Sequence, residues 1–237
     1  MRLPARAAPL VAAAVALAGT PLPVEPAAVE PMRVASQERS ELPLDGLLRR
    51  VQERYRGLQD LRARFRQRSV ARPGMPAREA SGTWFARPPG RLRVEYDATG
   101  RVLVADGDVL YWYLPEDRQV QIRDQDALAS SQTPMLYLTS DADLGNDFTV
   151  AGTEWEEKLA PGNVQLRLDP LTADASYTHL ILEVDPDTAM IARLVSFGIL
   201  GESSEFMFLE VETDLGLAEE LFQFTIPANA EVEHLGS

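Results

Sequence analysis

The sequence predicts an α+β fold in which one long antiparallel sheet takes up most of the chain and a few short helices lie against it. Three observations predict it. Between Gly82 and Pro115, apolar and polar residues alternate with period two in short runs parted by turn residues, the pattern of strands with one apolar face. From Phe148 onward, further runs of strand length follow one another between turn signals. Helical spacing is sustained at length only once, from Leu44 to Phe65.

The elements follow in chain order. Residues 1–18 read as a secretory signal: Arg2 and Arg6 give a positive start, Leu10 to Leu17 is apolar, and Ala16-Leu17-Ala18 fits a small-x-small cleavage site. The apolar run falls short of the ~20 residues that a bilayer span requires, so an uncleaved anchor is the weaker alternative. Residues 19–41 are rich in Pro, Ala and Glu without apolar periodicity and read as a disordered spacer. Residues 42–237 then form a single domain. Leu44, Leu47, Leu48, Val51, Tyr55, Leu58, Leu61 and Phe65 step by three and four, which predicts one amphipathic helix packed on its own sheet. Arg72-Pro73-Gly74-Met75-Pro76 is a loop.

The stretch that follows organises the rest. Trp84 and Ala86 alternate with Phe85 and Arg87, and Leu92, Val94 and Tyr96 alternate with Arg91, Arg93 and Glu95. Val102 to Ala105 leads through Asp106-Gly107, a strong hairpin signal, into Leu110 to Leu114. Gln119 to Ile122 continues the sheet. Gln125 to Asp143 contains one short helix, Ala127 to Ser131, and a second after Thr133 with Pro134 at its start. The expected later strands are Phe148–Thr153, Asn163–Pro170, His179–Asp185, Ile191–Phe197, Ser204–Thr213 and Phe222–Pro227, with Asp185-Pro186-Asp187-Thr188 as a turn.

Composition narrows the function classes. The 237 residues contain no cysteine, which removes disulfides, thiolate metal sites, cysteine nucleophiles and a lipid-modified N-terminal Cys. A net charge of −13 argues against a nucleic-acid partner, which would need a basic face. No cofactor motif is present: there is no glycine-rich phosphate loop. His179 and His234 lie far apart without a G-x-S-x-G elbow, so no catalytic residue is assigned, and His234 reads as part of a tail. Asp141, Asp143, Gly145 and Asp147 imitate a calcium loop, but Gly145 and Gly152 stand where oxygen ligands belong, so the run reads as a solvated acidic loop and no metal site is assigned.

Taken together, Arg87-Pro88, Gly90-Arg91-Leu92-Arg93-Val94-Glu95-Tyr96, Asp106-Gly107 and Tyr111-Trp112-Tyr113 resemble the periplasmic outer-membrane lipoprotein carrier family (LolA-like). So do Phe65-x-Gln67, Thr133-Pro134-Met135-Leu136 and the ending Leu221 to Pro227, which extends the resemblance from about Leu44 to Val232. Pro89 is an extra residue, and Leu92 and Val94 replace bulkier aromatics, which bears on cavity shape more than on fold.

The resemblance implies an open half-barrel, a curved antiparallel sheet capped by short helices, that carries lipoprotein acyl chains from inner to outer membrane. Its partners would be an inner-membrane ATP-driven lipoprotein release complex and, where present, an outer-membrane acceptor lipoprotein, with the carrier itself monomeric. Arg87 becomes a candidate latch donating to carbonyls of a lid, because a guanidinium offers five donors and keeps its charge. Met135, Leu136 and Leu138, which on residues alone read as core, become lid candidates. By alternation Leu92, Val94 and Tyr96 share one face, and Phe85 is grouped with them alongside Arg87. Val102, Val104, Tyr111 and Tyr113 complete the expected cavity lining. Alternatives are a same-fold periplasmic protein that binds another lipid or senses lipoproteins, a secreted hydrolase, and an interaction domain with a filled core.

Overall fold

The computed structural model describes residues 43–124, 143–172 and 177–235. The proposed signal (1–18) and spacer (19–41), and the lid candidates Met135, Leu136 and Leu138, lie outside the described residues.

The first helix, α1, runs over Leu44–Arg56 and buries Leu47, Leu48, Val51, Gln52 and Tyr55. Asp45 in its first turn and Arg54 and Arg56 in its last complement the helix dipole. It is shorter than the apolar spacing predicts. It closes at Gly57, whose N–H bonds Glu53 O at 3.0 Å, and Leu61–Val70 forms strand β1 instead of further helix. The cause is visible in the residues: Leu61, Ala63 and Phe65 are buried while Arg62 and Arg66 are exposed, so the period changes from 3.6 to two at Asp60. Leu61 and Phe65 satisfy both periods, which is why the helical spacing runs on past the end of the helix.

Five strands follow in a meander: β2 (Arg78–Arg87), β3 (Arg91–Tyr96), β4 (Val102–Ala105), β5 (Val109–Leu114) and β6 (Gln119–Asp124). A four-residue helix, α2 (Leu144–Asp147), leads into a second meander of β7 (Phe148–Gly152), β8 (Val164–Pro170), β9 (Tyr177–Asp185), β10 (Met190–Gly198) and β11 (Ser203–Thr213). The acidic run before β7 is thus partly a helix start: the Asp143 carboxylate accepts from Gly145 N at 3.0 Å.

All the strands join one open sheet in the order β12-β6-β5-β4-β3-β2-β1-β11-β10-β9-β8-β7. The antiparallel β1–β11 pair welds the two meanders. The last strand, β12 (Glu231–His234), departs from the expected topology: it pairs parallel with β6, setting His234 against Ile122. His234 is therefore a strand residue and not a tail. The expected strand Phe222–Pro227 is also corrected. A 3₁₀ turn covers Glu219–Phe222, and Leu221 N and Gln223 N bond Ala218 O and Glu220 O locally, so that backbone is satisfied without a neighbouring strand.

The sheet curves around one core. Leu47, Leu48, Val51 and Tyr55 of α1 meet Phe65, Trp84, Leu92 and Leu103 from one meander and Leu166, Leu182, Ile191 and Leu194 from the other. Tyr55 is tied to this core by its hydroxyl, which accepts from Ile191 N at 3.2 Å, and burial pushes its pKa up to about 12.

Candidate functional site

Pairing register settles which side chains share a surface, because successive residues of a strand point to opposite faces. Trp84 pairs with Val94 and Ala86 with Leu92. Val94 pairs with Leu103, and Leu103 with Trp112. One row of side chains, Trp84-Val94-Leu103-Trp112, therefore crosses four strands on the face that meets α1. Tyr96, Ala86, Leu92, Ala105 and Leu110 flank it. From Ala80 of β2 to Leu114 of β5 this helix face carries no charged side chain; Arg78 at the start of β2 and Gln121 and Arg123 of β6 form its rim.

Phe85 is not on it. Phe85 pairs with Arg93, Arg93 with Val104, and Val104 with Tyr111. Phe85, Arg87, Val102, Val104, Tyr111 and Tyr113 thus occupy the back face. The grouping of Phe85 and Arg87 with Leu92, Val94 and Tyr96 is overturned, and the eight expected lining residues do not line one surface. Phe85 and Trp84 are both large and apolar, so composition alone could not tell which faced the core. The cross-strand partners Val94 and Arg93 decide it.

The helix face is aromatic at its centre. The Phe65 and Tyr96 rings meet edge-on at 5.4 Å, and Trp84 meets Phe206 at 5.8 Å and Phe208 at 5.6 Å, both edge-on. Burial raises the Tyr96 pKa to about 12, against the opposing pull of Arg101, so the phenol stays neutral at any physiological pH. The indole Nε1 of Trp84 and of Trp112 are buried without hydrogen-bond partners among the described residues. Sequence reasoning missed Trp84, Leu103 and Trp112 as members of this row. Extending the Leu92/Val94/Tyr96 alternation across the hairpins would have found them.

The back face is covered by the chain's own C-terminal segment. Phe224 lies 5.4 Å from the Tyr111 ring and 6.0 Å from that of Tyr113. Arg93 donates to Leu221 O at 3.2 Å, and Arg91 pairs with Glu219 at 3.0 Å. Arg87 lies 5.4 Å from the centroid of Phe222 and 3.9 Å from the Asp60 carboxylate. Asp60, 1% exposed, accepts from Leu215 N and Leu217 N at 2.7 Å each, pinning the start of this segment.

A separate polar cluster lies across β8–β11. Glu183, fully buried, accepts from Leu159 N at 2.6 Å and Asn163 Nδ2 at 2.8 Å, and Arg193 stands 3.4 Å from Glu183 and 3.5 Å from Glu205. Burial pushes the Glu205 carboxyl up, with Arg193 opposing. Arg193 also donates to Glu157 O at 3.0 Å, so the cluster fastens the 153–163 loop to the sheet. Its groups are engaged with one another and with that loop, an arrangement suited to holding structure.

An open, curved sheet that wraps a helix around an uncharged aromatic and aliphatic face is an architecture suited to holding apolar ligands. Among the described residues no group of three or more His, Cys, Asp or Glu is placed to hold a metal. The profile of the family described as outer membrane lipoprotein carrier protein LolA matches residues 56–225, and this chain belongs to that family. Its curated relatives carry the same description. One from Azotobacter vinelandii is 29% identical over 83% of this chain and 89% of its own length, and one from Methylococcus capsulatus is 24% identical over 73% and 80%. Among solved structures, an uncharacterized conserved protein from Thermus thermophilus shares the fold, with a TM-score of 0.51 and 16% identity over 80% of this chain and 97% of that one.

Proposed function

We propose that this chain is a periplasmic carrier that takes up the acyl chains of lipoproteins at the inner membrane and delivers them to the outer membrane. The observation that carries the reading is the uncharged row Trp84-Val94-Leu103-Trp112 on the helix face. Family membership supports it, since the relatives are named as carriers of outer-membrane lipoproteins. Acyl chains laid along this face would leave water, which stabilises by about 0.8 kcal/mol per CH₂. Such a gain must be opposed if the cargo is to leave again. In this reading the lid candidates Met135, Leu136 and Leu138, outside the described residues, oppose it by competing with cargo for the same face.

Arg87, the expected latch, stands on the back face beside Asp60 and over Phe222, across the sheet from the face a lid would cover, so in this reading it holds the C-terminal segment and not the lid. The back face, with Phe85, Val102, Val104, Tyr111 and Tyr113, holds the C-terminal segment in this reading and takes no cargo. Loading comes from an ATP-driven release complex of the inner membrane, unloading goes to an outer-membrane acceptor lipoprotein, and the carrier works as a monomer without a cofactor.

The test is capture and handover. Mature protein incubated with detergent-free triacylated lipoprotein is expected to form a one-to-one complex by native mass spectrometry. Trp112→Glu should abolish the complex while leaving the far-UV spectrum unchanged. Arg87→Leu, on the face that takes no cargo, should bind and release as the wild type does. Failure of the folded wild-type chain to bind acylated protein overturns the carrier reading, and altered uptake or release in folded Arg87→Leu would give Arg87 a part in lid closure after all.

A further inference from the structure

Two hairpin tips come together at one end of the central strands. The β10–β11 tip carries Ile199 and Leu200, 67% and 73% exposed, and the β1–β2 tip carries Met75, 50% exposed. The two tips touch. A Cβ built on Gly201 would stand 2.8 Å from Pro73 Cγ, and Ser69 and Val70 of β1 pair with Ser204 and Ser203 of β11 just behind. The β10–β11 tip is also held in shape. Gly198 N bonds Glu202 O at 2.8 Å, Gly201 N bonds Gly198 O at 3.1 Å, and the Glu202 carboxylate turns back to accept from Leu200 N at 3.0 Å. Large aliphatic side chains are thus displayed to solvent on a fixed turn.

Two arginines flank them. Arg72 and Arg78 lie at the tips and Glu202 is bonded internally, while Arg68 stands behind them between Glu79 and Glu205 of the neighbouring strands. Among the described residues neither Arg72 nor Arg78 forms an ion pair, whereas Arg62, Arg64, Arg91, Arg93, Arg101, Arg167 and Arg193 are matched to carboxylates. In a chain of net charge −13, two arginines without an ion pair beside exposed Ile, Leu and Met interrupt the acidic balance of the rest.

We propose that these paired tips are a touchdown surface for an anionic phospholipid bilayer. Convex tips bearing aliphatic side chains suit a fluid interface that closes around them, where a protein partner would have to offer a matching groove. The arginines suit the phosphates of the headgroups, and the acidic remainder of the molecule keeps the contact brief and oriented. The inference stands on the tips alone and is independent of the cargo.

Sedimentation of the mature chain with vesicles tests it. The vesicles are phosphatidylethanolamine containing about a third phosphatidylglycerol, and phosphatidylcholine vesicles serve as control. Binding is expected to the anionic vesicles at low salt and to weaken as salt rises. Each arginine at the interface is worth about a fivefold change in partitioning, so Arg72→Gln with Arg78→Gln should reduce it about 25-fold. Ile199→Ser with Leu200→Ser should return sedimentation to the control level. Because the chain has no cysteine, a polarity-sensitive fluorophore on Leu200→Cys reports insertion directly and should shift to the blue with anionic vesicles only. No binding above control, equal binding to both vesicle types, binding unchanged in the tip variants, or no fluorophore shift would each overturn the proposal.

Discussion

Removing the Asp60 carboxylate should detach the C-terminal segment from the back face. Asp60 is 1% exposed, and its two oxygens accept from Leu215 N and Leu217 N, both at 2.7 Å. Hydrogen bonds to a charged group contribute about 1.5–3 kcal/mol each, and an N–H left without a partner in a buried site costs a similar amount. Asp60→Ala should therefore lower unfolding stability by about 3–6 kcal/mol if both amides stay buried, and less if the segment lifts and water reaches them. Asp60→Asn keeps one acceptor and should lose about half as much. Urea denaturation gives the stability, and hydrogen exchange at the Leu215 and Leu217 amides gives the local opening. Loss of under about 1 kcal/mol in Asp60→Ala, together with unchanged protection of both amides, would refute the reasoning.

Two further outcomes follow from the same structure. Gly82 pairs with Phe65, and a Cβ there would meet Glu95 O at 2.0 Å and Phe65 Cζ at 2.6 Å. Gly82→Ala should cost at least the roughly 1–3 kcal/mol typical of overpacking, read as a lowered urea midpoint, and a wild-type midpoint would show that the strands can part there. Glu205 has its carboxyl pKa raised from its ordinary 4.5, chiefly by burial. The folded state then holds the proton more tightly than the unfolded chain, so this group's contribution is favourable below its ordinary pKa and is lost as pH rises through the raised one. Glu205→Gln should flatten the stability profile across that interval, and an unchanged slope in urea midpoints across it would assign the pH response to other groups.

Much of the sheet was legible because its strands are bounded by turn chemistry. Asp106-Gly107 and the Asp185–Thr188 turn sit between strands as expected, and Asp185 accepts from Asp187 N and the Thr188 hydroxyl. What was not legible needed information from another strand. Leu61 and Phe65 fit two periods at once, and only pairing with β2 and β11 fixes them as strand. Phe85 and Trp84 could each have faced the core, and register alone separates them. Phe222 and Phe224 alternate as a strand would, yet their rings pack on Arg87, Tyr111 and Tyr113 while the backbone turns on itself. The parallel β12–β6 pair left no local trace, since the residues it joins are more than a hundred positions apart and carry only the ordinary alternation of an edge.

The weld between β1 and β11 bears on how the chain reaches this state. Each meander is built from neighbours in sequence, so its hairpins can form early and by themselves. The weld joins Arg62 to Glu212, residues 150 apart, and the β1 side chains complete the core only once it has closed. Closing so long a loop is entropically costly before any contact rewards it, and topologies of this kind fold slowly. Until that moment the newly made chain shows two unpaired strand edges in mid-sheet, each a template for a second copy. The interval between synthesis and closure of the weld is thus when this protein is most prone to aggregate.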